Sequence, residues 1–185
     1  EYNDMEWPIV RRVIHATADF DFAGKNKIVF HKDAITSGTS ALKNGCSIIV
    51  DVNGVIGGLN KQNPKDFENN IICNISDPDL AERAKQENKT RAQMSMRVAA
   101  SEINGGVVVI GNAPTALLEI IKMIREGVTK PALVIGIPVG FVSAAESKEE
   151  LQTVDVPFIT NTGRKGGSSC AASIVNALFK LLREN

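Results

Sequence analysis

Residues 107–127 restrict the fold of this chain more than any other stretch: Val107-Val108-Val109-Ile110-Gly111, then Asn112-Ala113-Pro114-Thr115, then a helical pattern that runs to Gly127. Four β-branched residues without polar alternation read as a strand covered on both faces, and the run stops at Gly111. Pro114 suits a first helical position because it lacks the amide hydrogen that would be unpaired there. Leu117, Ile120, Ile121 and Ile124 recur at helical spacing, and Gly127 closes the helix. The result is a βα unit whose turn sits at the carboxyl end of a buried strand, where open parallel sheets bind ligands. Helix-start amides left free there attract anions. Gly111, Asn112, Ala113, Pro114 and Thr115 are therefore the expected centre of a site.

The unit repeats once. Ala132-Leu133-Val134-Ile135-Gly136 is a second apolar run, broken by Gly136, Pro138 and Gly140, and the two Val-Ile-Gly corners are expected side by side on one sheet edge. Val139, Gly140 and Phe141 follow the second corner. Further runs at 28–30, 47–50, 71–75 and 156–160 read as strands, with Pro157 restricting the last to an edge or to pairing through its later residues. Helices are expected at 8–17, at 33–43, from Asp77-Pro78 onward with a break near Asn88, and at 171–182. Ser143 with Glu146 matches a capping box for one more helix. Residues 52–64, rich in Gly and Asn, read as a long loop or short irregular helix over the same edge, a lid or a partner contact. Strands alternating with helices predict a three-layer α/β domain with a mostly parallel sheet of five or six strands.

The composition removes several function classes. At 185 residues one domain is the default, and 21 basic residues balance 21 acidic ones, so no overall field draws nucleic acid or an anionic membrane. No apolar stretch approaches the roughly 20 residues that span a bilayer. Cys46, Cys73 and Cys170 lack metal-ligand spacing and read as thiols of a reducing compartment, which predicts a cytoplasmic protein without a metal site. The chain does not begin with Met and opens close to a helix, which predicts a short segment before it.

Few side chains carry chemistry. His15 lies off the apolar stripe of its helix, with Arg11 and Asp19 four residues to either side, so a helix reaching Asp19 would align the three. It is either a boundary histidine or a proton-transfer residue. His31 reads as a solvated strand-end residue. Asp51 ends a buried strand and either meets a ligand or caps a turn. Arg91, after Thr90, is either a solvated helix charge or a carboxylate fork. Gly163-Arg164-Lys165-Gly166-Gly167 is either an anion cradle or a tight turn. Neither the phosphate-loop spacing nor a G-x-G-x-x-G fingerprint is present.

Five segments together resemble one family, the precorrin-8X methylmutases, also called cobalt-precorrin-8 methylmutases, of corrin biosynthesis. They are Val13-Ile14-His15-Ala16-Thr17-Ala18-Asp19, Asn88-Lys89-Thr90-Arg91, Gly111-Asn112-Ala113-Pro114-Thr115-Ala116, the run from Gly136 through Pro138-Val139-Gly140-Phe141 to Ala145-Glu146-Ser147, and Gly163-Arg164-Lys165-Gly166-Gly167. They run in the family's order across nearly the whole chain. The resemblance implies a flavodoxin-like α/β/α fold, a homodimer with the site near the subunit interface, and migration of a methyl group from C-11 to C-12 of a tetrapyrrole. It also implies that His15 is the catalytic residue, that Thr90 and Arg91 contact substrate, and that the glycine corners 111–115 and 136–141 line the pocket.

The residues suit that chemistry. A 1,5-sigmatropic methyl shift needs no nucleophile, metal or cofactor, whereas a proton donor polarises the conjugated ring, and imidazole titrates nearest neutrality. Arg91, Arg164, Lys165 and the helix-start amides near Thr115 are expected to hold the substrate's carboxylates, with Val139 and Phe141 under its apolar face. Two other readings stand beside this one: a flavin- or nucleotide-binding oxidoreductase on the same fold, and a non-catalytic corrinoid carrier.

Overall fold

The computed structural model describes residues 1–184. In chain order the elements are α1 (Trp7–Thr17), a 3₁₀ turn (Phe20–Ala23), β1 (Ile28–Phe30), α2 (Ala34–Lys43), β2 (Ile48–Val50), α3 (Asn53–Gly58), α4 (Gln62–Asp66), β3 (Ile71–Ile72), α5 (Pro78–Gln86), α6 (Arg91–Val98), α7 (Ala100–Ile103), β4 (Val107–Ile110), α8 (Pro114–Arg125), β5 (Leu133–Gly136), α9 (Ala144–Leu151), β6 (Phe158–Asn161) and α10 (Ser168–Glu184).

Among the described residues the strands form one six-stranded sheet in the order β1-β6-β5-β4-β2-β3. Only β1 is antiparallel to its neighbour; the other pairs are parallel. Without that edge strand, the parallel strands follow the spatial order shared by flavodoxin-like folds, which puts the reversal of winding between β2 and β4. Strand geometry sends alternate residues to opposite faces. Val107 and Val109 therefore join a core with Ile9, Val10 and Val13 of α1, Leu42 of α2 and Ile174, Leu178 and Phe179 of α10. Val108 and Ile110 join a second core with Leu117, Ile120 and Ile121 of α8, Met96 of α6 and Leu151 of α9. Each such fully buried aliphatic side chain contributes about 1.5–3 kcal/mol relative to exposure, so covering both faces is what makes the unbroken apolar runs stable strands.

The structure decides between the alternatives at some positions and corrects the reading at others. Residues 52–64 carry two short helices, α3 and α4, and α3 packs Val55 into the first core. The strand expected at 71–75 shrinks to Ile71–Ile72, pairing only with β2. Ser143 does not cap α9 with its side chain: its φ of 62° is left-handed, which turns the hydroxyl away from the helix-start amides. β6 lies inside the sheet between β5 and β1. Pro157 precedes it and contributes only its carbonyl, which accepts from the Val134 amide at 3.0 Å.

The two glycine corners do lie side by side. Ile110 pairs with Gly136 across β4 and β5, and the Ile137 amide donates to the Ile110 carbonyl at 2.9 Å. The loop from β6 to α10 presses onto the second corner, since a Cβ on Gly166 would stand 2.5 Å from the Ile137 carbonyl oxygen and 2.7 Å from that of Pro138. Both contacts are backbone and neither moves cheaply. Gly166→Ala is expected to cost about 1–3 kcal/mol, read as a lower denaturant midpoint with an unchanged slope.

Candidate functional site

At the switch point the carboxyl ends of β2 and β4 stand together. Asp51, the residue after β2, is wholly buried, and its carboxylate accepts hydrogen bonds from the amides of Gly111 (2.9 Å), Asn112 (2.8 Å) and Ala113 (2.8 Å). Burial pushes this carboxyl above the usual carboxylate range, against the pull of the three amides. Gly111 is required here: a Cβ would stand 2.9 Å from both the Ser168 Cα and the Val55 Cγ2. The helix-start amides expected to hold substrate carboxylates are therefore taken at residues 111–113. An internal carboxylate from the adjacent strand holds them, so along that turn Asn112 offers a ligand its side chain, while Thr115 offers its side chain and its backbone amide, which Asp51 does not reach. Asp51→Asn replaces one accepting oxygen with a donor and turns it toward amide hydrogens, so a loss of roughly 3 kcal/mol is expected, measured by chemical denaturation.

His15 is exposed on the outer face of α1. It lines a groove of about 290 Å³ between α1 and α10, with Pro8, Ala177 and Leu181 as apolar wall and Arg11, Arg12, Lys180 and Glu184 as charged rim. The helix stops near Thr17, as the sequence predicts, so the alignment that a helix reaching Asp19 would give is not formed. α1 ends at Thr17, Ala18 is left-handed at φ 53°, and Asp19 caps the following 3₁₀ turn by accepting from the Asp21 amide at 3.0 Å. Arg11 and Arg12 make no ion pair among the described residues. Arg11 is already marked in the sequence by its spacing of four from His15, whereas Arg12, three residues away, reads there as an ordinary solvated charge.

Lys165 is also corrected. Its ammonium lies 2.7 Å from Asp19 and 2.8 Å from Asp21, and these two carboxylates raise its pKa while it lowers that of Asp19. This is not an open anion cradle. The pairing instead ties the loop after β6 to the segment that follows the His15 helix. Arg164, one residue earlier, is exposed, and its guanidinium lies 5.9 Å from the Phe141 ring centroid. Phe141 and Val142, adjacent in the loop after the second glycine corner, are 86% and 81% exposed, and Phe20, after α1, is 79% exposed.

Thr90 and Arg91 open α6. The Thr90 hydroxyl accepts from the Gln93 amide at 3.1 Å while the Gln93 side chain accepts from the Thr90 amide at 2.8 Å, a complete capping box. Gln93 and Arg97 both donate to the buried Glu119 of α8, and Arg97 reaches Glu126 at 2.7 Å, so α6 and α8 run side by side in the same direction. Arg91 is thereby held exposed toward the carboxyl edge. It stands on the opposite face of the sheet from α1, so one chain does not gather His15 and Arg91 into one groove. His31 accepts from the Asp33 amide at 3.1 Å and packs against Phe158, a helix-start role.

A larger cavity, about 950 Å³, opens at the other end of the sheet, between Asn104, Thr129, Lys130 and Val156. These residues precede strands rather than follow them, and no site residue expected from the sequence lines it.

The fold and these residues define a flavodoxin-like α/β/α protein whose switch point is filled by its own carboxylate, and whose carboxyl edge presents a histidine, arginines and an apolar corner. The family model described as precorrin-8X methylmutase matches residues 1–181. A cobalt-precorrin-8 methylmutase from Priestia megaterium is 52% identical, over 96% of this chain and 78% of its own length; one from Leptospira interrogans is 50% identical, over 95% and 83%. The solved structure of a precorrin-8X methylmutase from Thermus thermophilus superposes with a TM-score of 0.92 at 38% identity, covering 99% of this chain and 87% of that one. The chain belongs to the precorrin-8X methylmutase family.

Proposed function

We propose that this protein is an isomerase that moves a methyl group from C-11 to C-12 of a precorrin-8 macrocycle, the 1,5-sigmatropic shift of cobalamin biosynthesis, giving hydrogenobyrinate or cobyrinate. Family membership carries the reaction, and the observation that carries the residue assignment is the exposed His15 in a groove rimmed by Arg11 and Arg12. The substrate taken is the cobalt form, a reading that rests on the names of the relatives at 52% and 50% identity.

His15 donates a proton to a ring nitrogen or an adjacent carbon. Electron density then leaves the migrating centre, and the proton returns once the methyl has moved, so the isomerisation is balanced without a co-reactant. The side chains of Arg11, Arg12, Arg91 and Arg164 fork onto the acetate and propionate carboxylates that rim the macrocycle. Val139 and Phe141 bear its apolar face, with Gly140 leaving the approach open, and the turn at 111–115 flanks them.

A homodimer belongs to the same proposal. A groove of about 290 Å³ lies at the bottom of the range that encloses even drug-sized ligands, roughly 300–1,000 Å³, and a tetrapyrrole is larger. His15 and Arg91 stand on opposite faces of one sheet, and a second copy brings the complementary wall. A cytoplasmic location rests on three free thiols, Cys46, Cys73 and Cys170, in a chain of this biosynthetic family.

The test is the visible spectrum of the purified protein mixed with cobalt-precorrin-8 or precorrin-8, since moving the methyl changes the conjugated path. Multiple turnovers are expected, with His15→Ala slowed by about 10²–10⁴-fold, the usual range for a general acid. Unchanged turnover in His15→Ala would remove the histidine from the mechanism. Saturation at one ligand per subunit without product would mean a carrier. A second assay reads the rim: Arg12→Ala is expected to raise KM about tenfold or more through one lost charged hydrogen bond, with a much smaller change in kcat.

A further inference from the structure

We propose that Lys148 is the positioning residue of the substrate rim: it acts through the loop that carries Arg164 and fixes that arginine's station over Phe141. The inference rests on Arg164 belonging to the site. Nothing in the sequence pattern singled Lys148 out, because a lysine inside a stretch of polar helix reads as a solvated charge.

The structure gives it a different place. Lys148, on α9, is 1% exposed, and its ammonium donates to the carbonyl of Gly163 at 3.0 Å and to that of Lys165 at 2.6 Å. Those carbonyls stand on either side of residue 164. The carbonyl of Arg164 itself accepts from the Gly140 amide at 3.2 Å, one residue before Phe141. The Asn161 side-chain amide adds bonds of 3.0 Å to the carbonyls of Thr162 and Lys165, and the Gly167 amide donates to the Ile137 carbonyl at 2.9 Å. Every carbonyl from Thr162 to Lys165 is thus held, and only the side chains of Arg164 and Lys165 remain to turn outward. Lys165 clamps Asp19 and Asp21, and Arg164 lies over the Phe141 ring.

A plain tight turn needs no buried cation. Burial lowers the Lys148 ammonium to about 8, so the chain carries an unfavourable charge below its surface, where an apolar side chain would pack at no such cost. What the ammonium supplies that an apolar side chain does not is a pair of directed, charge-assisted bonds to two carbonyls separated by one residue. That arrangement sets the direction of the residue between them, and that residue is the arginine beside the exposed apolar corner.

The experiment is a double-mutant cycle on the full-length protein with cobalt-precorrin-8 as substrate: wild type, Lys148→Met, Arg164→Ala and the double variant, each with KM, kcat and a thermal melt. Lys148→Met keeps the volume and removes the donors. It is expected to raise KM roughly tenfold with a much smaller change in kcat, and the double variant is expected to match Arg164→Ala alone, because the lysine acts only through the arginine. Lys148→Gln, which keeps an N–H donor one atom short, is expected to fall between wild type and Lys148→Met, and it carries the cycle if the Met variant does not fold. Additive effects on KM, or a fall in kcat that merely follows a lower melting temperature, would overturn the proposal and leave Lys148 a structural residue. An Arg164→Ala variant with unchanged KM would remove Arg164 from the site and this role of Lys148 with it, while turnover that still depends on His15 would leave the isomerase assignment intact.

Discussion

The carboxylate of Asp51 accepting three consecutive amides at the end of β4 is the contact on which the rest of the carboxyl edge depends. A helix start beside a buried strand end gathers unpaired donors, and in sheets of this winding that gap is where phosphates of bound nucleotides commonly sit. Here the neighbouring strand delivers the anion covalently. The amides of residues 111–113 are paired within the chain, the turn is fixed, and Gly111 can press its backbone against Ser168 and Val55. With these three amides bonded to Asp51, no seat is left for a flavin phosphate on them. Binding is pushed outward, onto the loops that rise above the strands.

Those loops are held by interactions of unequal worth. The Lys165 pairings with Asp19 and Asp21 are well formed but solvent-exposed, and water and salt screen such pairs so that they add little stability. Rigidity comes instead from buried contacts: Gly166 against two carbonyl oxygens, and the Lys148 ammonium bridging Gly163 and Lys165. The surface pairs choose which segments meet, and the buried bonds decide how tightly. This division suits a surface that must present cations and apolar rings to a ligand while remaining in one conformation.

Much of the fold was legible in the sequence because burial on both faces leaves a direct signature. Val107–Ile110 and Leu133–Gly136 have no polar residue to turn outward, so they had to be inner strands, and Pro114 and Asp77 marked helix starts that the structure keeps. The misreadings share one cause. The Ser143 cap and the full 71–75 strand are read from local pattern alone, and the structure replaces the first with a left-handed backbone and shortens the second to Ile71–Ile72.

The sequence by itself determined the layered α/β architecture, the paired glycine corners and, through its resemblance to one family, the chemistry. It also supplied the candidate side chains. Only the tertiary structure decided which of them are free. Asp51 and the amides of residues 111–113 consume one another, Lys165 is spent on Asp19 and Asp21, Lys148 is drawn inside, and Arg11 and Arg12 are left beside His15. The physical reason is that a charge or hydrogen-bonding group is occupied by the partners that the folded chain brings within reach. Partners far apart in sequence, such as Asp19 and Lys165, meet only when the chain is folded.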